Sequence, residues 1–358
     1  MPTIHILTQY VWPDAAPTAI YAEDLATRLQ HVGFDVRLVG GTGDYRALER
    51  EKPSVPIVYR DHFHGRRGSL TQTFIEYVSH KRTFQRYIDE FVWRGDIAIV
   101  TSAPPNSVQL AARIKRRGAR AVYWLHDYYP ELIRGIREYP VAARCALSAW
   151  WDSHLLQWDR VVKIGANLGG PNDNVVVLRD WPTVTFDAME PFEPGTALYS
   201  GNLGYGHDIG LFVEACCALQ KEGHRLTIRA DGRGVRLLPD WLKVQPLHSD
   251  PEKMKADLLR HEIHLIAADP RITRAIFPSK IWNSIASRRR LICTGFAGEM
   301  VKELEESKRA PFDSHLDRWV QFIVEFASST QPIRRARVCA EASARPASPI
   351  PATTVAAA

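Results

Sequence analysis

At 358 residues, with 45% hydrophobic and 24% charged residues, the chain is too long for one typical domain and too apolar to be disordered or fibrous. Its net charge of +6 suits anionic partners, but the excess sits in clusters (Lys115 to Arg117, Arg288 to Arg290, and Arg334, Arg335 and Arg337) without interleaved aromatics, which argues against a nucleic-acid surface. Five cysteines without C-x-x-C spacing make neither a disulfide framework nor a zinc site and point to a reducing cytoplasm, and no signal peptide or membrane-spanning run is expected.

Two domains are expected, both of alternating strands and helices. Ile4 to Thr8 reads as a buried strand, Gln9 to Pro17 as a loop, and the residues from Thr18 as a helix with Ala22, Leu25, Ala26 and Leu29 on one face. Gly33 closes it, and Phe34, Val36 and Leu38 alternate in the next strand, which runs into Gly40, Gly41 and Gly43. A βαβ unit of this kind predicts a parallel sheet. Val55 to Tyr59 is the next strand, followed by a polar loop with His62, His64, Arg66 and Arg67 and a helix over Thr71 to Phe91. A strand over Asp96 to Ser102, a helix from Pro105 to Arg117 and a strand over Ala121 to Leu125 lead into His126-Asp127-Tyr128-Tyr129-Pro130-Glu131. Ligands in open parallel sheets lie beyond the carboxyl ends of the strands, where this His-Asp pair falls.

A helix over Val141 to Trp158 and strands over Val161 to Ile164 and Val175 to Leu178 reach Asp180-Trp181-Pro182. The Pro-, Glu- and Phe-containing stretch Thr183 to Pro194 has no period and reads as a linker. Ala197 to Ser200 then opens a second alternating unit: a glycine turn, SGNLGYGHD (Ser200 to Asp208), a helix over Ile209 to Gln220, and a strand over Arg225 to Ala230 ending at Asp231. Further strands follow at Val244, Ile263 to Ala267 and Leu291 to Thr294, with helices over Glu252 to Arg260 and from Gly298. Leu316, Val320, Ile323 and Val324 form a helical pattern expected to pack back across the first domain, and residues 331–358, rich in Pro, Ala, Ser and Arg, are expected to be disordered.

The chemistry centres on Phe277 to Ala286, FPSKIWNSIA, and on the glycine turn. Pro278 and Ser279 suit a helix start, so the free N–H groups, the helix dipole and Lys280 together make a phosphate seat; a capped core helix has the same sequence signature. Gly201, Gly204 and Gly206 follow a strand and precede a helix, where missing side chains let backbone N–H groups approach a diphosphate. Their spacing is not G-x-G-x-x-G, so no dinucleotide cofactor is expected. Two anion-friendly turns in one domain suggest a diphosphate clamp.

YSGNLGYGHD (Tyr199 to Asp208), FPSKIWNSIA, HDYYPE, and the N-terminal QYVWPD followed by an amphipathic helix and GFDVRLVGG resemble the retaining glycosyltransferases of the GT-B fold, family 4, especially those of bacterial polysaccharide assembly. The resemblance implies two Rossmann-like domains facing across a cleft, with residues 1–182 holding the acceptor, 183–194 linking, 195–313 holding the nucleotide sugar and 314–330 returning as a helix to the first domain. It implies donor contacts from Gly201, Asn202, Leu203, Gly204, His207, Asp231, Ser279, Lys280, Asn283 and Glu299, and acceptor contacts from Tyr10, Asp14 and Tyr128. His126, with Asp127 to fix its tautomer or face the acceptor, and Lys280, with a protonated His207 beside it, would stabilise the transferring sugar and the leaving diphosphate.

The expected function is transfer of a sugar from a UDP- or GDP-sugar co-substrate to a saccharide, lipid-linked or small-molecule acceptor. No other cofactor and no metal are expected, in keeping with the lack of an Asp-x-Asp pair. A cytoplasmic protein is expected, with peripheral membrane contact at Lys115 to Arg120 left open. Ala275 and Asn283 stand where many relatives carry paired glutamates, and Asn202 and His207 where many carry Arg and Lys. A UDP-sugar epimerase and a catalytically weak nucleotide-sugar-binding subunit are therefore the alternatives.

Overall fold

The computed structural model describes residues 2–41, 47, 49, 51–64, 70–135, 140–171, 173–186, 191–204, 206–309 and 314–329. Gly43, Arg66, Arg67, part of the expected linker, the basic cluster at Arg334 to Arg337 and the expected disordered tail lie outside the described residues.

The first sheet is built from β1 (Thr3–Tyr10), β2 (Asp35–Gly41), β3 (Ile57–Tyr59), β4 (Ile97–Thr101), β5 (Arg120–Leu125), β6 (Arg160–Lys163) and β7 (Val175–Val177). The strands are parallel in the order β3-β2-β1-β4-β5-β6-β7. Continuous apolar runs such as Ile97 to Val100, buried on both faces, suit a sheet covered by helices on each side. Those helices include α1 (Pro17–His31), α2 (Leu70–Phe91), α3 (Ala111–Arg116), α4 (Tyr129–Gly135) and α5 (Val141–Leu155). Pro17 occupies the first turn of α1, where its missing N–H costs nothing, and Gly33, at φ 95°, lets the chain reverse into β2.

The second sheet comprises β8 (Glu193–Asn202), β9 (Arg225–Asp231), β10 (Val244–Gln245), β11 (His261–Ala267) and β12 (Arg290–Thr294), all parallel in the order β10-β9-β8-β11-β12. Its helices are α6 (Ile209–Lys221), α7 (Pro251–Arg260), α8 (Lys280–Ala286) and α9 (Glu299–Arg309). The Asp208 carboxylate caps α6 by accepting the Leu211 N–H at 3.2 Å. Both sheets reverse strand order beside their first strand, so each opens a crevice beyond its carboxyl edge, at β1/β4 and at β8/β11.

The last helix, α10 (His315–Ser328), lies on the first sheet's side. Arg28 of α1 donates to Asp317 at 2.8 Å, and the Arg120 guanidinium reaches the carbonyls at the end of α10, including that of Ala327 at 2.9 Å. Its buried face is His315, Trp319, Val320, Ile323 and Phe326. Val324, expected on that face, is exposed, and Trp319, packed on Trp124 with ring centroids 4.4 Å apart, takes the central place. One apolar core runs from the first sheet through Phe277, Ile281 and Trp282 to α10, and a separate core around Tyr199, Phe212 and Leu265 fills the second sheet.

Much of the basic surface at 115–120 is engaged. Lys115 pairs with Asp159 at 2.9 Å, Arg117 stacks over Trp93, and Arg120 holds α10. Among the described residues no helix is long and apolar enough to cross a membrane.

Candidate functional site

β8 ends at the glycine turn and β11 ends just before Asp269, so the second crevice is floored by the turn and roofed by the segment leading into α8. Lys280 joins the two. Its Nζ donates to the Tyr199 hydroxyl at 2.7 Å and to the Asn202 carbonyl at 3.2 Å, lies 3.3 Å from His207 Nε2, and stands over the Tyr199 ring. A Cβ on Gly201 would come within 2.1 Å of Lys280 Cε, and Gly201 sits at φ 148°, so only glycine gives the lysine this course across the turn.

The turn is braced from behind. Leu203, fully buried, donates its N–H to the Asp231 carbonyl and accepts from Gly234, while Gly204 N–H donates to His207 Nδ1 at 3.1 Å. Because Nδ1 accepts, the neutral His207 ring carries its proton on Nε2, facing Lys280. Burial, then the adjacent lysine, hold His207 down to about 3, and burial lowers Lys280 to about 7. The expected protonated His207 is therefore corrected: two neighbouring cations in a desolvated turn repel, and the imidazole is the one that stays neutral. An N–H and an ammonium that face each other in this way are jointly relieved by an anion oxygen that sits beside the pair and accepts from both.

α8 has seven residues, and Ser279 begins it without a side-chain cap, its backbone already helical. Asn202 and Asp231 are exposed at the strand ends, and Asp231 accepts the Gly232 N–H at 2.6 Å. Asn283, expected among the donor contacts with its amide on a ribose hydroxyl, meets a competing role: its Oδ1 accepts from Thr183 N–H at 2.8 Å and Val184 N–H at 3.3 Å, and its Nδ2 donates to Thr183 Oγ1. The amide ties the linker to α8. Glu299 is exposed and paired with Lys302 at 2.7 Å, the behaviour of a first-turn acid.

Across the cleft, the end of β5 meets the approach to α8. Tyr128 N–H donates to the Ala275 carbonyl at 2.7 Å, Gly169 N–H to the Arg274 carbonyl at 2.8 Å, and Asn167 Nδ2 to the Thr273 and Ile276 carbonyls. His126 and Lys280 are thus held on segments that touch. Tyr128, expected at the acceptor, is buried; its hydroxyl donates to Asp152 at 2.6 Å within the first domain, and only its main-chain N–H reaches across to Ala275.

The His126 ring is buried between Tyr21 and Trp124, and burial lowers it to about 3. Its nearest carboxyl is that of Asp180, 4.0 Å from Nε2, rather than Asp127. Asp180 is fully buried, which raises it well above the ordinary carboxyl range, with the Trp124 indole acting the other way. Neutral imidazole and neutral acid therefore stand side by side. Asp127 is half-buried and raised by burial to about 6; burial, with Asp127, Tyr77 and Tyr10 nearby, also raises the Tyr129 phenol. Tyr10 ends β1 and the buried Asp14 follows it, so this polar group lines the first crevice.

Asp180, Tyr77 and Lys163 belong to this neighbourhood without a motif to mark them. Burial first, then Arg274, lower Lys163 to about 8. For Asp180 one signal existed, an acid immediately after the last strand of a domain, in Asp180-Trp181-Pro182.

No protein-family model matches the chain, and no curated protein sequence matches it. Solved structures do match by shape. The chain is similar to the N-terminal domain of Candida albicans trehalose-6-phosphate phosphatase, with TM-score 0.58 and 10% identity over 91% of this chain and 96% of that one. It is similar to the E. coli trehalose-6-phosphate protein bound with UDP-2-fluoro glucose, with TM-score 0.57 and 11% identity over 92% and 99%. It is also similar to the pneumococcal O-GlcNAc transferase GtfA in complex with UDP and GlcNAc, with TM-score 0.54 and 8% identity over 91% of each chain. The fold is GT-B: two α/β domains of parallel sheets.

Proposed function

We propose that the chain is a retaining glycosyltransferase of the family 4 type that moves a sugar from a UDP- or GDP-sugar to a saccharide, lipid-linked or small-molecule acceptor without a metal at the donor. The observation that carries this proposal is Lys280 lying across Gly201 beside His207, a pair of facing donors at the carboxyl edge of the second sheet. UDP accompanies two of the similar folds, which favours a uridine donor.

Cleavage of the bond between the anomeric carbon and the diphosphate oxygen leaves the electron pair on the diphosphate and positive charge on the sugar. Lys280 and His207 Nε2–H stabilise the leaving group. The acceptor oxygen forms the new bond and gives up its proton to the departing diphosphate. Neutral His126 can orient a sugar hydroxyl. Assembly of polysaccharide in the cytoplasm, at the inner face of the membrane, is part of the same proposal.

A second reading is favoured by Ala275. It is fully buried with its carbonyl bonded to Tyr128, and with Asn283 engaged in the linker neither glutamate position offers a carboxylate; this suits a binding subunit with weak turnover. Thermal stabilisation by UDP-, GDP- and other nucleotide sugars, with Lys280→Ala beside the wild type, tests the donor site. Product analysis with and without acceptors then separates the readings. Transfer needs acceptor, epimerisation does not, and a binding subunit returns the donor unchanged. Absence of stabilisation by every nucleotide sugar would sink the proposal.

A further inference from the structure

On the far side of the first crevice, α2 presents Glu76 and His80 one turn apart, and the loop after β3 brings His62 against them. One donor atom from each of the three lies within 4.8 Å of the others. Glu76 and His80 are buried and His62 is half-buried, and His64 stands beside the group with its ring centroid 4.3 Å from that of His62. We propose that His62, Glu76 and His80 bind a divalent transition-metal ion of the zinc class, with water in the fourth position.

The rings of His62 and His80 lie with centroids only 3.4 Å apart, and His80 Nε2 has no hydrogen-bond partner among the described residues. Two imidazoles and a carboxylate are a zinc donor set, and a shared cation gives the buried His80 nitrogen the partner it needs.

The surroundings hold the three in place. Phe63 N–H donates to Ser79 Oγ at 2.8 Å and Thr83 Oγ1 donates to the Asp61 carbonyl at 3.2 Å, fastening the loop on both sides of His62 to α2. Gln9 Nε2 donates to Glu76 Oε1 at 3.2 Å, and His62 Nδ1–H points to the Arg60 carbonyl at 3.4 Å, support of the kind that orients metal ligands. A Cβ on Gly41 would come within 2.2 Å of the His62 ring, so the end of β2 leaves just the space the imidazole fills. The ion would fasten this loop to α2 beside Gln9 and Tyr10. The site is independent of the donor cleft and of the transferase proposal. No motif marks it, because its ligands come from a loop and from a helix in an E-x-x-x-H spacing.

The test uses tag-free full-length protein stripped with a chelator and re-equilibrated with Zn2+, followed by elemental analysis, chelator competition and a thermal scan. One zinc per chain with micromolar or tighter affinity, a raised thermal midpoint, and visible absorption of a tetrahedral type on Co2+ substitution are expected. His80→Gln and Glu76→Gln should each abolish stoichiometric binding while keeping the circular dichroism of the stripped wild type, and His31→Gln, on exposed surface, should retain it. Substoichiometric metal in the wild type would overturn the proposal. So would zinc that stays bound, one per chain, in Glu76→Gln or in a His62→Ala/His80→Gln double variant.

Discussion

Lys280 should make donor binding and intrinsic stability respond to pH in opposite directions. In the unliganded fold its ammonium is lowered from the usual 10.5 to about 7, because it is pulled out of water against Tyr199 and the turn. Between those values the unfolded chain binds the extra proton, so this group makes the unliganded protein more stable as pH rises above 7. A bound diphosphate restores the charged form, so binding takes up a proton over the same range. The charged fraction falls from about one half at pH 7 to about 3% at pH 8.5, which predicts a roughly fifteenfold loss of affinity for a nucleotide sugar. Titration calorimetry in two buffers of different ionisation enthalpy reads both the affinity and the proton uptake. Lys280→Met keeps the aliphatic stem over Gly201 and removes the charge. It should weaken binding by about 10- to 150-fold, the value of a charge-assisted hydrogen bond of ~1.5–3 kcal/mol, and abolish the pH slope. A wild-type affinity that is flat from pH 7 to 8.5, or wild-type binding by Lys280→Met, would refute the assignment.

Asn283→Ala should destabilise the fold by about 1–3 kcal/mol in urea unfolding while leaving donor affinity within about twofold, because the amide serves Thr183 and Val184; the reverse pattern would restore a ribose contact. Glu303 is buried, accepting from Ala166 N–H at 2.9 Å and from Arg179 Nε at 2.5 Å, so Glu303→Ala should cost about 3–5 kcal/mol and lower the thermal midpoint by several degrees. Asp180, whose folded-state carboxyl is raised, keeps a proton that the unfolded chain releases near pH 4, so its contribution weakens stability as pH rises from there. Asp180→Asn should therefore be more stable than wild type at pH 7 and equal to it at pH 3, by denaturant midpoint.

The sheets were legible because their strands are short apolar runs bounded by glycine, and because helical periods of Ala and Leu separate them, as in Ala22 to Leu29. The carboxyl-edge rule placed His126 and Asp127 beyond a strand end from sequence alone, while the second crevice was approached only through its glycine turn and the start of α8. Partnerships between distant side chains were not legible. Nothing near Asn283 announces Thr183, a hundred positions away, and nothing in the chain order brings Asp180 closer than Asp127 to His126. The α10 register was misjudged at Val324 because a four-residue apolar pattern omitted Trp319, whose bulk sets which face turns inward. Protonation states were the least legible, since His207 and Lys280 depend on burial and on each other.

The seam between the domains decides how the cleft can move. The carbonyls of residues 273–276 are bonded to Tyr128, Gly169 and Asn167 on one side, and on the other the segment leads within four residues into Lys280. Phe277 and Trp282 bury their rings in the same core as the first sheet. Opening at this seam would break each of those hydrogen bonds, at about 1 kcal/mol apiece, and expose two large aromatic side chains at a further ~1.5–3 kcal/mol each. A pivot about the seam keeps all of them and breaks instead the two bonds at the outer edge, from Glu49 N–H to the Ser249 carbonyl at 3.0 Å and from Ser249 Oγ to Glu49 Oε1 at 2.6 Å. The lower-energy motion therefore keeps the β5 end against the approach to α8, with His126 and Lys280 at nearly constant separation, while the outer strands β3 and β10 swing. Under the proposed transferase reading, His126 and Lys280 would then share a fixed floor, and the variable distance would be that between the segments after β1 and β3 and the far edge of the second sheet.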